Sequence, residues 1–230
     1  MKNQTIKSII AAFAATGIIG ATAQGAVVAN WTFETNPPAD LSNSAVGFTL
    51  AADSGAGTAT GVHTSAGTDW TTPAGNGSAN SFSANEWTSG DYYQFQVDLT
   101  GYQDVSIEWD QTRSSTGPAT FDLQYSTDGV NFTTFLNDYP VLINDAINGT
   151  WSSGGTRIPA YTFTQNLSAI DALEGDASVF FRVTSQVTTA AGGTGRVDNV
   201  TISAEPVPEP TGLALLSVSF LAMLRRRRAH

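Results

Sequence analysis

The chain has 230 residues, no cysteine, and 20 acidic against 10 basic residues. Without cysteine it has neither disulfides nor thiolate metal sites, so one hydrophobic core must carry the fold. Six of the basic residues lie at the ends, leaving Arg113, Arg157, Arg182 and Arg196 against all 20 carboxylates, about −16 for the middle of the chain. That balance repels nucleic acid and anionic membranes, and suits calcium, cationic partners or neutral polymers.

The first 25 residues read as a secretory signal peptide: Lys2 and Lys7, an apolar run from Ile9, then small residues, with cleavage after Ala23 or Gly25. The other reading of this segment is a retained anchor helix. Asn30 to Glu34 gives the first strand. Ala51 to Ser83, rich in Gly, Ser, Thr and Ala, reads as loops joining short or edge strands. From Tyr92 to Leu99 the side chains alternate, with Tyr93, Phe95, Val97 and Leu99 inward and Tyr92, Gln94, Gln96 and Asp98 outward. Asp104 to Asp110 and Ala119 to Ser126 repeat the pattern. Asp128-Gly129 then turns the chain into a second hairpin arm, Val130 to Leu136. Asn166 to Leu173 hints at a helical turn. Ser178 to Val187 and Arg196 to Ala204 complete the set. Eight or more short strands with polar turns predict an all-β fold, a β-sandwich of jelly-roll type over residues 26–204.

Residues 205–230 form a separate tail. A proline-rich spacer, Glu205 to Pro210, leads into an apolar run, Gly212 to Leu224, and then Arg225, Arg226, Arg227 and Arg228. As a helix the run spans about 20 Å, short of a ~30 Å hydrocarbon core. The arginines behind it place the C-terminus on the cytoplasmic side and the sandwich outside. Val207, Pro208, Glu209 and Pro210, followed by an apolar helix and the arginine cluster, resemble the PEP-CTERM sorting signal. The resemblance implies a bacterium that makes exopolysaccharide and a partner, an exosortase, which cuts near the motif and discards the short transmembrane helix. Central segments such as Ser89 to Phe95, Arg113 to Pro118 and Gln124 to Gly129 resemble β-sandwich domains of PEP-CTERM surface proteins. Trp31 to Glu34 and Arg196 to Ile202 are similar to the first and last strands of MAM-like and carbohydrate-binding jelly rolls, without the MAM cysteines.

Asp198 shares strand parity with Val200 and Ile202, so it is expected to face the core, where a carboxylate needs a cation or several donors. The jelly-roll resemblance implies a structural calcium between first and last strands, held by Glu34 and Asp198 with carbonyls and Asp91 or Asn199. The alternatives are an ion pair to Arg182 or Arg196, or an edge position open to water. Trp70, Trp87 and Trp151 fall in glycine- and serine-rich contexts, where they either stack on sugar rings or cover core edges. His63 is the one histidine outside the tail, and no Gly-x-Ser-x-Gly elbow accompanies it. Glu86 and Glu108 form no more specific an acid pair than any others among 20 carboxylates. The chain is therefore not expected to be an enzyme. The leading expectation is an exported, exosortase-sorted surface or matrix protein with a structural or interaction role in the exopolysaccharide layer. The alternative is a carbohydrate-binding module, and a polysaccharide-active hydrolase comes third.

Overall fold

The computed structural model describes residues 25–208, which form an all-β sandwich of two antiparallel sheets. The strands in chain order are β1 Ala26–Trp31, β2 Leu50–Ala51, β3 Ser54–Gly55, β4 Gly57–Val62, β5 Trp70–Thr71, β6 Phe82–Ala84, β7 Tyr92–Val97, β8 Tyr102–Arg113, β9 Thr120–Ser126, β10 Thr133–Pro140, β11 Thr162–Asn166, β12 Val179–Ser185 and β13 Gly195–Pro206. One sheet runs β11-β8-β13-β1-β3, with β6 pairing β13 and β5 pairing β6. The other runs β10-β9-β12-β7-β4-β2. Short 3-10 turns lie at Pro159–Tyr161 and Asp171–Leu173, the latter inside the segment predicted to turn.

Alternation explains which face of each strand is buried. Along β7 the inward residues Tyr93, Phe95 and Val97 are buried, while Tyr92, Gln94 and Gln96 stay partly exposed. Val105, Ile107 and Trp109 of β8 share one core with them, together with Phe121, Leu123, Phe181 and Val183 from the sheet of β7 and Val200 and Ile202 from that of β8. This interleaving of two apolar faces is the main stabilising burial.

β4 corrects the expectation of loops from Ala51 to Ser83. Its sequence, GTATGV, offers little apolar mass, yet it pairs β7 along its whole length. The glycine is needed there: a Cβ on Gly61 would stand 2.1 Å from the Trp70 ring. The aromatic ring supplies the bulk that the strand lacks.

Of the tail, Glu205 to Pro208 are described: Glu205 and Pro206 still pair with Gln103 and Tyr102, so β13 runs past the expected end at Ala204, and the Val207 N–H donates to the Gly101 carbonyl at 2.8 Å. The signal peptide, Glu209, Pro210, the apolar run and Arg225 to Arg228 lie outside the described residues. Among the described residues no helix is long and apolar enough to cross a membrane.

Candidate functional site

The predicted site residues do not converge. Trp70 and Trp87 are buried, 0% and 1% exposed, and belong to the core. Trp70 packs on Phe82 and His63 and donates Nε1–H to the Ser44 carbonyl at 2.8 Å; Trp87 packs on Tyr93 and Phe121 and donates to the Ala84 carbonyl at 2.9 Å. Trp151, 3% exposed, packs edge-on against Tyr161 under the 142–161 segment. All three cover core edges, so none presents a free face to a sugar.

Asp198 is buried, but not by facing the core. A bulge follows it in the β13–β8 ladder, and Asn199 takes a left-handed φ of 49°. That reverses the phase assumed from Val200 and Ile202, and Val197 points inward instead. Asp198 therefore stands on the outer side of the sheet, opposite Asp110 of β8, beneath the 75–80 loop. Its carboxylate accepts from the Asn76 N–H at 2.8 Å, Ser78 Oγ at 2.6 Å, and the Asn199 N–H and Nδ2 at 2.7 and 3.1 Å. Neither Arg182 nor Arg196 pairs with it. Arg157 instead binds Asp110, Nε to Oδ2 at 2.7 Å, and Glu108 at 2.8 Å. Burial pushes the Asp198 carboxyl up to about 7, against the pull of its donors and with help from the Asp110 charge.

Glu34 is exposed and accepts the Asn80 N–H at 2.7 Å, sharing no hydrogen-bond partner with Asp198. Four protein donors already point at Asp198, where a calcium ion would need open lone pairs. Among the described residues no three His, Cys, Asp or Glu side chains gather as a metal set. Asp91 is engaged by Thr64 and Thr88.

His63 lies buried between Trp70 and Trp87, ring centroids 4.7 and 4.2 Å away. Nδ1 meets Thr68 Oγ1 at 3.1 Å and lies 3.8 Å from Asp91; Nε2 has no partner. Burial lowers its pKa to about 4 despite Asp91. A neutral imidazole stacked in the core serves packing rather than proton transfer.

The arrangement with binding chemistry lies on the outer face of the β10-β9-β12-β7-β4-β2 sheet. Registers place Thr60 beside Gln94, Gln94 beside Arg182, Arg182 beside Gln124, and Gln124 beside Thr134. Five polar side chains on five successive strands thus form one row, about 19 Å long at the usual strand spacing. The row is internally tied. Arg182 Nε donates to Gln94 Oε1 at 2.9 Å, Thr184 Oγ1 to Gln124 Oε1 at 3.1 Å, and Gln124 Nε2 to Thr134 Oγ1 at 3.4 Å. Two aromatic rings border it: the Arg182 guanidinium carbon sits 3.8 Å from the Tyr92 ring centre and 3.5 Å from that of Phe132. One row along, Gln96 leads into a surface depression of about 260 Å³ lined also by Gly57, Thr58 and Asp98. The outward set Tyr92, Gln94, Gln96 was legible from alternation. The sequence offers Arg182 only as a partner for Asp198, and Gln124 and Phe132 for no site, because only cross-strand register brings the three beside that set.

No protein-family model matches the chain, and no curated protein matches it. Among solved structures, it is similar to the C-terminal family 22 carbohydrate-binding module of Clostridium thermocellum Xyn10B. Identity is 11% and the TM-score 0.43, covering 80% of this chain and 96% of that one. It is similar also to the K3 cleaved adhesin domain of Lys-gingipain from Porphyromonas gingivalis, at 18% identity and TM-score 0.41, over 77% and 99% of the two chains. A Clostridium thermocellum chain that joins a CBM22-1 module to a GH10 module matches at 15% identity and TM-score 0.40. There this chain spans 29% of the other's length. These likenesses concern the sandwich alone.

Proposed function

We propose that this protein is an exported, non-catalytic glycan-binding sandwich of the extracellular polysaccharide layer, and that it binds along the outer face of its six-stranded sheet. The observation that carries this reading is the Thr60–Gln94–Arg182–Gln124–Thr134 row flanked by Tyr92 and Phe132. Amides, hydroxyls and a guanidinium at strand spacing offer repeated donors and acceptors to a repeating polyhydroxy chain. The parts of the Tyr92 and Phe132 rings that Arg182 leaves uncovered offer apolar surface to sugar C–H groups. The row is built on rigid strands, so little ordering entropy opposes binding. The Val207 to Pro210 motif and the arginine tail support export and exosortase sorting as the route to that layer.

Affinity electrophoresis of the purified protein in gels containing single polysaccharides tests this reading. Retention by at least one polymer is expected, with loss of about tenfold or more in affinity on Tyr92→Ala or on joint Gln94→Ala and Gln124→Ala. Retention that survives both changes would move binding off this face. No retention by any polymer would leave a structural protein of the matrix.

A further inference from the structure

We propose that the ligand is an acidic polysaccharide, with an anionic sugar substituent, carboxylate or sulfate ester, seated on Arg182. This rests on the reading of the six-stranded face as a glycan surface.

The four arginines among the described residues are used differently. Arg113 spends its guanidinium on backbone carbonyls, including Val141 at 3.0 Å and Ser115 at 3.1 Å. Arg157 is neutralised by Asp110 and Glu108. Arg196 sits on β13 in the other sheet. Arg182 has no carboxylate within salt-bridge distance among the described residues. Its Nε is tied to Gln94 at 2.9 Å, and its flat cation is held against two aromatic rings. Neither Nη has a protein hydrogen-bond partner, and neither is a sealed, unsatisfied atom. The side chain is thus tied at Nε and held by both rings, while both Nη groups keep some contact with solvent and no protein partner. A planar guanidinium in that state is a ready fork for two anionic oxygens. Burial also lowers the Arg182 pKa.

The surroundings on this face are mostly uncharged. Gln94 and Gln124 flank Arg182 across the sheet, and Phe180 and Thr184 along the strand. One carboxylate of this sheet, Asp122, lies diagonally across, is 5% exposed, and accepts the Asp138 N–H at 2.8 Å. Asp128 folds its carboxylate into the β9–β10 turn, accepting from Val130 and Asn131. A Debye length of about 8 Å at physiological salt weakens repulsion from carboxylates beyond that range. The net negative charge then limits affinity for polyanions in general, while Arg182 selects one anion in register with the row.

The test uses the purified protein in affinity gels containing polygalacturonate, alginate or a sulfated galactan, each beside its carboxyl-reduced or desulfated counterpart, with neutral xylan and β-glucan. Wild type is expected to bind at least one charged polymer about tenfold more tightly than its neutralised form. Arg182→Gln should erase that difference, and Arg182→Lys, which keeps charge without the fork, should restore only part of it. Thermal melts of both variants report whether the fold is intact. A preference for the uronate polymers identifies a carboxylate, and one for the galactan a sulfate. Equal binding to charged and neutralised forms, or a preference unmoved by Arg182→Gln, overturns the acidic assignment and leaves the glycan face standing. Binding to no polymer overturns both.

Discussion

Replacing Asp198 by asparagine tests the account of the covered carboxylate in detail. Asp198 is fully buried, faces Asp110 across the ladder, and has its pKa pushed up from 3.8 to about 7 by burial. A folded pKa above the unfolded one means that Asp198 favours folding fully below about pH 4, and that this advantage is lost as pH rises through about 7. The full difference between the two states is about 4 kcal/mol. At pH 3 the variant merely exchanges one neutral group for another. It loses the acceptor for the Asn199 N–H, a cost of about 1 kcal/mol. At pH 8 the wild type carries a buried carboxylate beside Asp110, and the variant does not. The stability of Asp198→Asn relative to wild type should therefore rise by about 4 kcal/mol between pH 3 and 8, changing sign on the way. Urea denaturation of both proteins across that range measures it. The difference cancels contributions from other carboxyls, such as Asp53 and Asp128, whose pKa values are shifted down. A difference that stays flat, or falls with pH, would refute the reasoning and show that donors or a cation stabilise the ionised form.

Further outcomes follow from the same contacts. Arg157→Met should destabilise the fold by about 2–3 kcal/mol, less than for a fully buried pair because Arg157 is 40% exposed, as read by chemical denaturation. Gly61→Ala should cost about 1–3 kcal/mol by driving a methyl into Trp70, and Trp70→Ala about 3–5 kcal/mol by emptying the same space. The His63 imidazole should titrate near 4 by NMR; neutral His63 supports the fold above about pH 6.5, and that support fades as pH falls through 4. A chelator should leave the melting temperature unchanged, since Asp198 is satisfied by protein donors.

The sandwich was legible where alternation is strong. Tyr92 to Leu99, Asp104 to Asp110 and Ala119 to Ser126 each declare an inner and an outer face, and the ladders follow them. β4 was illegible because its packing partner is a tryptophan eight or more residues away, and only the glycines hint at the close approach. Asp198 was misplaced because one bulged residue in the left-handed region shifts the phase of a strand without any change in composition. The loop tryptophans illustrate a limit of composition. Small polar neighbours mark irregular backbone, but irregular backbone can still tuck a large ring beneath itself, as around Trp151. The candidate face was half visible. Gln94 pointed outward in the sequence, but its place beside Arg182, and that of Arg182 beside Gln124, is decided by pairing between strands far apart in the chain.

The glycan face is tested most directly by NMR titration of the protein with oligosaccharides from the best-retained polymer, following the side-chain amides of Gln94, Gln96 and Gln124 beside that of Asn76 in the loop over the opposite sheet. The account predicts saturable shifts at the three glutamines and none at Asn76. Shifts confined to Asn76 and the 75–80 loop, with the glutamines unmoved, would contradict it.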